Sequence, residues 1–148
     1  MSTVITRPLP KASRLGDANA CTDDLRAHVT LDKSGEALIH ATAGNSPYLS
    51  RLLTRYPQQL ALHFTQGPDS AIREIMRELS ALDLTTLEQP DLMQKLRHLK
   101  SRLALNVALA DISSQWTLEQ VTGALSQFAE TAVQQTLRYL LLNAASKG

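Results

Sequence analysis

The chain has 148 residues, 43% hydrophobic and 4% aromatic, with 15 Lys and Arg against 14 Asp and Glu for a formal net charge of +1. That length supports one domain with a real core, and the near-neutral balance excludes a global field toward nucleic acid or an anionic membrane. A single cysteine, Cys21, excludes an intrachain disulfide and a cysteine-rich zinc site, and fits a reducing cytoplasm. No apolar run reaches the length of a membrane span, and the opening MSTVITRPLPKASRLGD lacks the apolar core of a signal peptide, so the expectation is a soluble cytoplasmic protein.

Residues 1–22 carry Pro8, Pro10, Gly16 and scattered basic residues without a sustained helical period, which reads as a disordered leader before a helical domain over residues 23–148. From Asp32 the pattern turns helical through Ala37, Leu38 and Ala41, with Gly44 and Asn45 as closing residues. Ser46 as N-cap and Pro47 at the first helical position start a second helix lined by Leu49, Leu52, Leu53 and Tyr56. Pro57 opens a short turn over residues 58–64 with Leu60 and Leu62 inward, and Gly67 with Pro68 makes a loop.

Asp69 or Ser70 caps the next helix, whose apolar face is Ile72, Ile75, Met76, Leu79 and Leu82; Glu74 and Glu78 can pair with Arg77 and Arg73 on its wet face. After Gln89, Pro90 and Asp91 comes a long helix with the stripe Leu92, Leu96, Leu99, Leu103 and Ala110. Residues 104–109 widen that stripe to nearly the whole circumference, so its second half is central and buried. Thr117 and Gln120 spell a capping box that starts the last helix, which runs to about Asn143. Along it Leu118, Val121, Leu125, Phe128 and Ala132 form one stripe, beyond which Val133, Leu137 and Leu140 open a second face that Leu141 and Leu142 broaden. Without β-branched alternation no sheet is expected; the fold class is all-α, an irregular bundle of five or six helices.

His28, His40, His63 and His98 sit on different segments at spacings unlike a metal motif, and Ser113 and Ser114 lack the surroundings of a nucleophile, so no catalytic, cofactor-binding or metal residue is assigned. The dense basic cluster is Lys95, Arg97, His98, Lys100 and Arg102: Lys95, His98 and Arg102 flank one edge of the leucine stripe, Arg97 and Lys100 the other. Such side chains can lay their stems on apolar surface, or they can meet nucleotide phosphates or an acidic protein. A helix-turn-helix reading fails because residues 118–130 carry Glu119 and Glu130 and no cation, so no nucleic acid is expected. Asn106 lies in the most apolar stretch and needs a hydrogen-bond partner, and Trp116 is placed to staple onto Val121.

The block AGNSPYLSRLLTRYPQQL and the run from Leu92 to Leu142, through Ser46, Pro47, Tyr48, Leu49, Lys100, Arg102, Ala108, Asp111, Trp116, Val121, Leu125, Phe128 and Ala129, carry a family signature. Over about residues 35–142 the chain resembles the amino-terminal helical region of bacterial glutamine synthetase adenylyltransferases/adenylyl-removing enzymes. The family often has glycine in the turn that here holds Ser113 and Ser114. The resemblance implies a parent enzyme that moves AMP from ATP onto a tyrosine of glutamine synthetase and removes it by phosphorolysis. Such enzymes have two nucleotidyltransferase halves, use magnesium, and respond to glutamine and the PII signal protein. Their catalytic Asp-x-Asp does not occur in this sequence, where Asp23 and Asp24 are adjacent. The expectation is therefore a scaffold piece that lacks the core, binds no Mg2+ or ATP itself, and packs on its own catalytic domain through Leu137, Leu140 and Leu141. The competing class is a free-standing helical interaction module.

Overall fold

Three prolines set the corners of the first half of the chain, because a proline at the first helical position gives up an N–H that had no partner there and arrives with helical φ. The computed structural model describes residues 5–147, with α1 Leu15–Arg26, α2 Lys33–Asn45, α3 Pro47–Arg55, α4 Pro57–Gln66, α5 Pro68–Ser80, α6 Gln89–Ile112 and α7 Leu118–Lys147. Among the described residues there is no strand, and the helices number seven rather than five or six. Single residues separate α2 through α5. Ser46 ends α2 and caps α3, its hydroxyl accepting from the Leu49 amide at 3.2 Å. Gly67, at φ 84°, lets α5 begin directly at Pro68, so neither Asp69 nor Ser70 is the cap.

The additional helix is α1, in the stretch read as a leader. Its buried positions are Ala18, Cys21, Thr22 and Leu25; the first three are too small or polar to announce an apolar face, and the helix packs on α2 and α3. Gly44 shows how close: a Cβ there would stand 2.4 Å from the Ala12 Cβ and 3.2 Å from that of Ala18. Gly44 is thus a buried contact inside α2 rather than its terminator. Backbone bonds pin the preceding segment, Arg14 N–H to the Gly44 carbonyl at 3.0 Å and Thr6 N–H to that of Ser113 at 3.3 Å, while Leu9 packs on the core. Residues 5–22 are therefore structured, contrary to a disordered leader; residues 1–4 of that reading lie outside the described residues.

The long helix α6 separates two cores. On one side Leu105 and Leu109 join Leu25, Leu38, Ile39, Leu53 and Leu60 of α1 to α4. On the other, Leu99, Leu103 and Val107 meet Ile72, Ile75 and Leu79 of α5 and Ala124 and Phe128 of α7. This two-sided burial is why its second half is apolar almost all round. A small third cluster, Leu84, Leu92 and Tyr139, ties the far end of α7 to the loop before α6.

The capping box at the start of α7 forms: Thr117 N–H donates to Gln120 Oε1 at 2.9 Å and Gln120 N–H to Thr117 Oγ1 at 3.3 Å. The face that α7 buries differs from the expected stripe. Leu118 and Leu125 are exposed, while Ala124, Phe128, Gln135 and Tyr139 are buried, a rotation of roughly 50° at 100° per residue. Polar Gln135 and amphipathic Tyr139 hide the true stripe in the sequence; Gln135 is held inside by donating to the Ser80 carbonyl at 3.1 Å.

Candidate functional site

Along one line of α6, His98, Arg102 and Asn106 recur every four residues and so share a face, which looks onto α3, α4 and α5. Each is engaged. His98 Nδ1 and the Tyr56 hydroxyl are 3.0 Å apart with the rings edge to face. Arg102 donates two bonds to the Glu78 carboxylate, at 2.6 and 2.8 Å, and a third to Gln59 Oε1 at 2.7 Å. Asn106, fully buried, donates to the Arg102 carbonyl at 2.9 Å, which leaves its Oδ1 to accept from His63 Nδ1 at 3.0 Å.

That accounting fixes the His63 tautomer. Nδ1 carries the proton, and Nε2 is left as a buried acceptor with no partner. Burial pushes the His63 pKa below its ordinary value, against the opposing pull of the Asn106 bond, so the ring is neutral. The Arg102 hydrogen bonds hold the Glu78 carboxyl below the usual carboxylate range, despite some desolvation. Glu78 therefore reaches across to α6 instead of pairing with Arg73 on its own helix. The donors of this face are spent largely on contacts that hold α6 against α4 and α5.

The basic cluster splits as its helical angles imply. Lys95, His98 and Arg102 line a cleft of about 510 Å³ with Glu78 and Asp91, whose carboxylates offset their charge. Arg97 and Lys100 face Tyr48, Arg55 and Tyr56 across an adjoining cleft of about 460 Å³, whose wall His98 shares. Among the described residues no three His, Cys, Asp or Glu side chains stand together as metal ligands. His28 is exposed and His40 meets Asn19 at 3.1 Å.

In the turn between α6 and α7, Ser113 is buried and donates to the Leu109 carbonyl at 2.6 Å, so it is a structural residue. Ser114 takes φ 56°, the left-handed region that glycine occupies more easily and serine adopts at a cost. Trp116 and Val121 both pack on the second core, as a staple across the capping box should. The indole N–H is buried without a partner.

Several exposed apolar residues gather on the far half of α7. Val133, Leu137, Leu140 and Leu141 are 67, 57, 55 and 62% exposed, and their spacing puts them on one side of the helix, opposite Gln135 and Tyr139. Surface leucines are ordinary one at a time, but a contiguous stripe marks an interface. Sequence reasoning located this stripe and missed Gln59, His63 and Tyr139. The signal for His63 was the need of Asn106 for a partner, which pattern alone could not place in space.

The residues from 36 to 148 match the family model of glutamate-ammonia ligase adenylyltransferase. The chain is 34% identical over 110 residues to a bifunctional glutamine synthetase adenylyltransferase/adenylyl-removing enzyme of Rhodopseudomonas palustris strain HaA2, covering 74% of this chain and 11% of the relative. It is 30% identical over 135 residues to the protein of the same description in Brucella suis, covering 89% of this chain and 14% of the relative. The chain thus spans about a tenth of the length of the curated relatives it matches. No solved structure matches it significantly.

Proposed function

The chain belongs to the glutamate-ammonia ligase adenylyltransferase family, and from that membership we propose that it is a helical scaffold within an enzyme that adenylylates and deadenylylates a tyrosine of glutamine synthetase. The observation that carries this reading is the extent of the match: it covers most of this chain but only a small share of the relatives. Two features support a scaffold role. Asp-x-Asp does not occur in the sequence, and the polar face of α6 is consumed by contacts among helices. Magnesium and ATP, and contacts with glutamine synthetase and PII, would belong to the larger enzyme. The α7 stripe of Leu137, Leu140 and Leu141 would be covered by its catalytic domain. Each such leucine leaves roughly 1.5 to 3 kcal/mol of burial unrealised when exposed.

The chain alone should neither transfer nor remove adenylyl groups, because hard-ion phosphate chemistry needs clustered carboxylates. Incubation with adenylylated glutamine synthetase, phosphate, magnesium and PII should release no ADP above a blank lacking the chain. Release that scales with chain concentration would overturn the scaffold reading.

A further inference from the structure

Helices α3 and α6 pack side by side, and neither α3 nor the stretch of α6 from Leu92 to Ala110 contains an Asp or a Glu. Arg51 and Arg55 stand one turn apart on α3, Arg97 and Lys100 one turn apart on α6, and all four are exposed. None of the four is in an ion pair among the described residues, where the paired cations are Arg14, Arg26 and Arg102. The cleft of about 460 Å³ on this seam is lined by Arg55, Arg97 and Lys100 together with Tyr48, 48% exposed, and Tyr56, whose ring centroid lies 5.7 Å from the Arg55 guanidinium.

Uncompensated cations on a protein of net charge +1 concentrate positive potential at one place rather than spreading it. The form of that place selects the ligand. The cations are surface groups spread over two helices, and Tyr56 and His98 in the cleft wall already bond to each other, leaving Gln94, Ser101 and the exposed Tyr48 as its other polar groups; an extended anion can meet more of these spread cations at once than a small phosphate can. Arginine forks match carboxylates geometrically, and tyrosine with arginine is the pair enriched at protein interfaces. An extended chain bearing carboxylates at intervals could meet the α3 and α6 cations in turn while its aliphatic carbons lie on the tyrosine rings.

We propose that the α3–α6 seam, flanked by Arg51, Arg55, Arg97 and Lys100 and surfaced by Tyr48 and Tyr56, is a docking site for an acidic polypeptide segment. The proposal goes beyond the scaffold role and does not depend on it, since it concerns a surface α7 does not share.

The test is fluorescence anisotropy of a fluorescein-labelled polyglutamate peptide titrated with the chain, at low and at physiological salt. Binding should appear, weaken as salt screens the charges, and fall at least about tenfold in the double variant R97E/K100E. The double variant R73E/R77E on α5 changes net charge equally and should bind within about twofold of the parent chain. Matching helical circular dichroism across the three proteins removes misfolding as a cause. The proposal is overturned by absence of binding, by equal losses in both double variants, or by tripolyphosphate or phosphatidylserine vesicles binding through Arg97 and Lys100 when polyglutamate does not.

Discussion

Replacing Asn106 with leucine should destabilise the chain by about 2 kcal/mol, although the two side chains are close in volume. The loss comes from what remains behind. His63 Nδ1–H would have no acceptor beside an Nε2 that already has no partner, in a buried site, while the Arg102 carbonyl would lose the Asn106 side chain but keep its helical bond. An unsatisfied buried group costs roughly 1 to 3 kcal/mol, and one is created here, the His63 Nδ1–H. Denaturant unfolding measures the loss, and the double variant His63→Phe with Asn106→Leu should recover much of it, because removing both partners removes the unmet demand. A single variant as stable as the parent would mean that the pair contributes nothing to packing.

The same histidine gives a pH signature. Its folded-state pKa lies below the ordinary 6.5, so the fold prefers the neutral ring. That preference is fully expressed above the unfolded-state value and is lost as pH falls below it. Glu78, also lowered, contributes stability present above its ordinary 4.5 and lost as pH falls through the folded value. Acid weakening should therefore come in two stages, and the double variant should remove the first. An unchanged slope between pH 7 and 5 would place the titrating group elsewhere.

Trp116→Ala should cost about 3 kcal/mol, at the low end for large aromatic truncations because the indole is half-buried. The ring packs on the core of α5, α6 and α7 just ahead of the Thr117 cap, so its loss frees both the hydrophobic contact and the entry angle of α7. It also borders a cleft of about 420 Å³ with Met76 and Gln127, which gives water a route to the vacated space. A loss under about 0.5 kcal/mol would show that the ring is a surface group and that the staple is not what orients α7.

What the sequence made legible follows from which forces act locally. The Pro47 and Pro57 corners, the Ser46 cap and the capping box are decided within a few residues and stand where the pattern placed them, whereas α5 starts at Pro68, in what the pattern gave as a loop. Helix α1 escaped because its burial uses Ala18, Cys21 and Thr22 beside a single leucine, and the closeness of Ala18 to Gly44 is a tertiary fact. The face of α7 was misjudged because Gln135 and Tyr139 point inward only where Ser80 and the Leu84–Leu92 cluster receive them. Likewise Glu78 looked like a partner for Arg73 until α6 brought Arg102 within reach, with better bidentate geometry than a surface pair has. Candidate surfaces fared similarly: the basic residues and the α7 leucines were visible, while their division into an engaged face, an open cleft and an apolar stripe required the packing.

The proposed scaffold role turns most directly on the α7 stripe. Sedimentation velocity over a rising concentration series should show the chain self-associating, and the variant carrying Leu137→Glu, Leu140→Glu and Leu141→Glu remaining a monomer with unchanged helical content. Exposed apolar side chains seeking a cover drive the first result, and charges on an already solvated face permit the second. A parent chain that stays monomeric throughout, with α7 as protected from hydrogen exchange as α6, would mean the stripe needs no partner, and the proposed packing against a catalytic domain would be wrong.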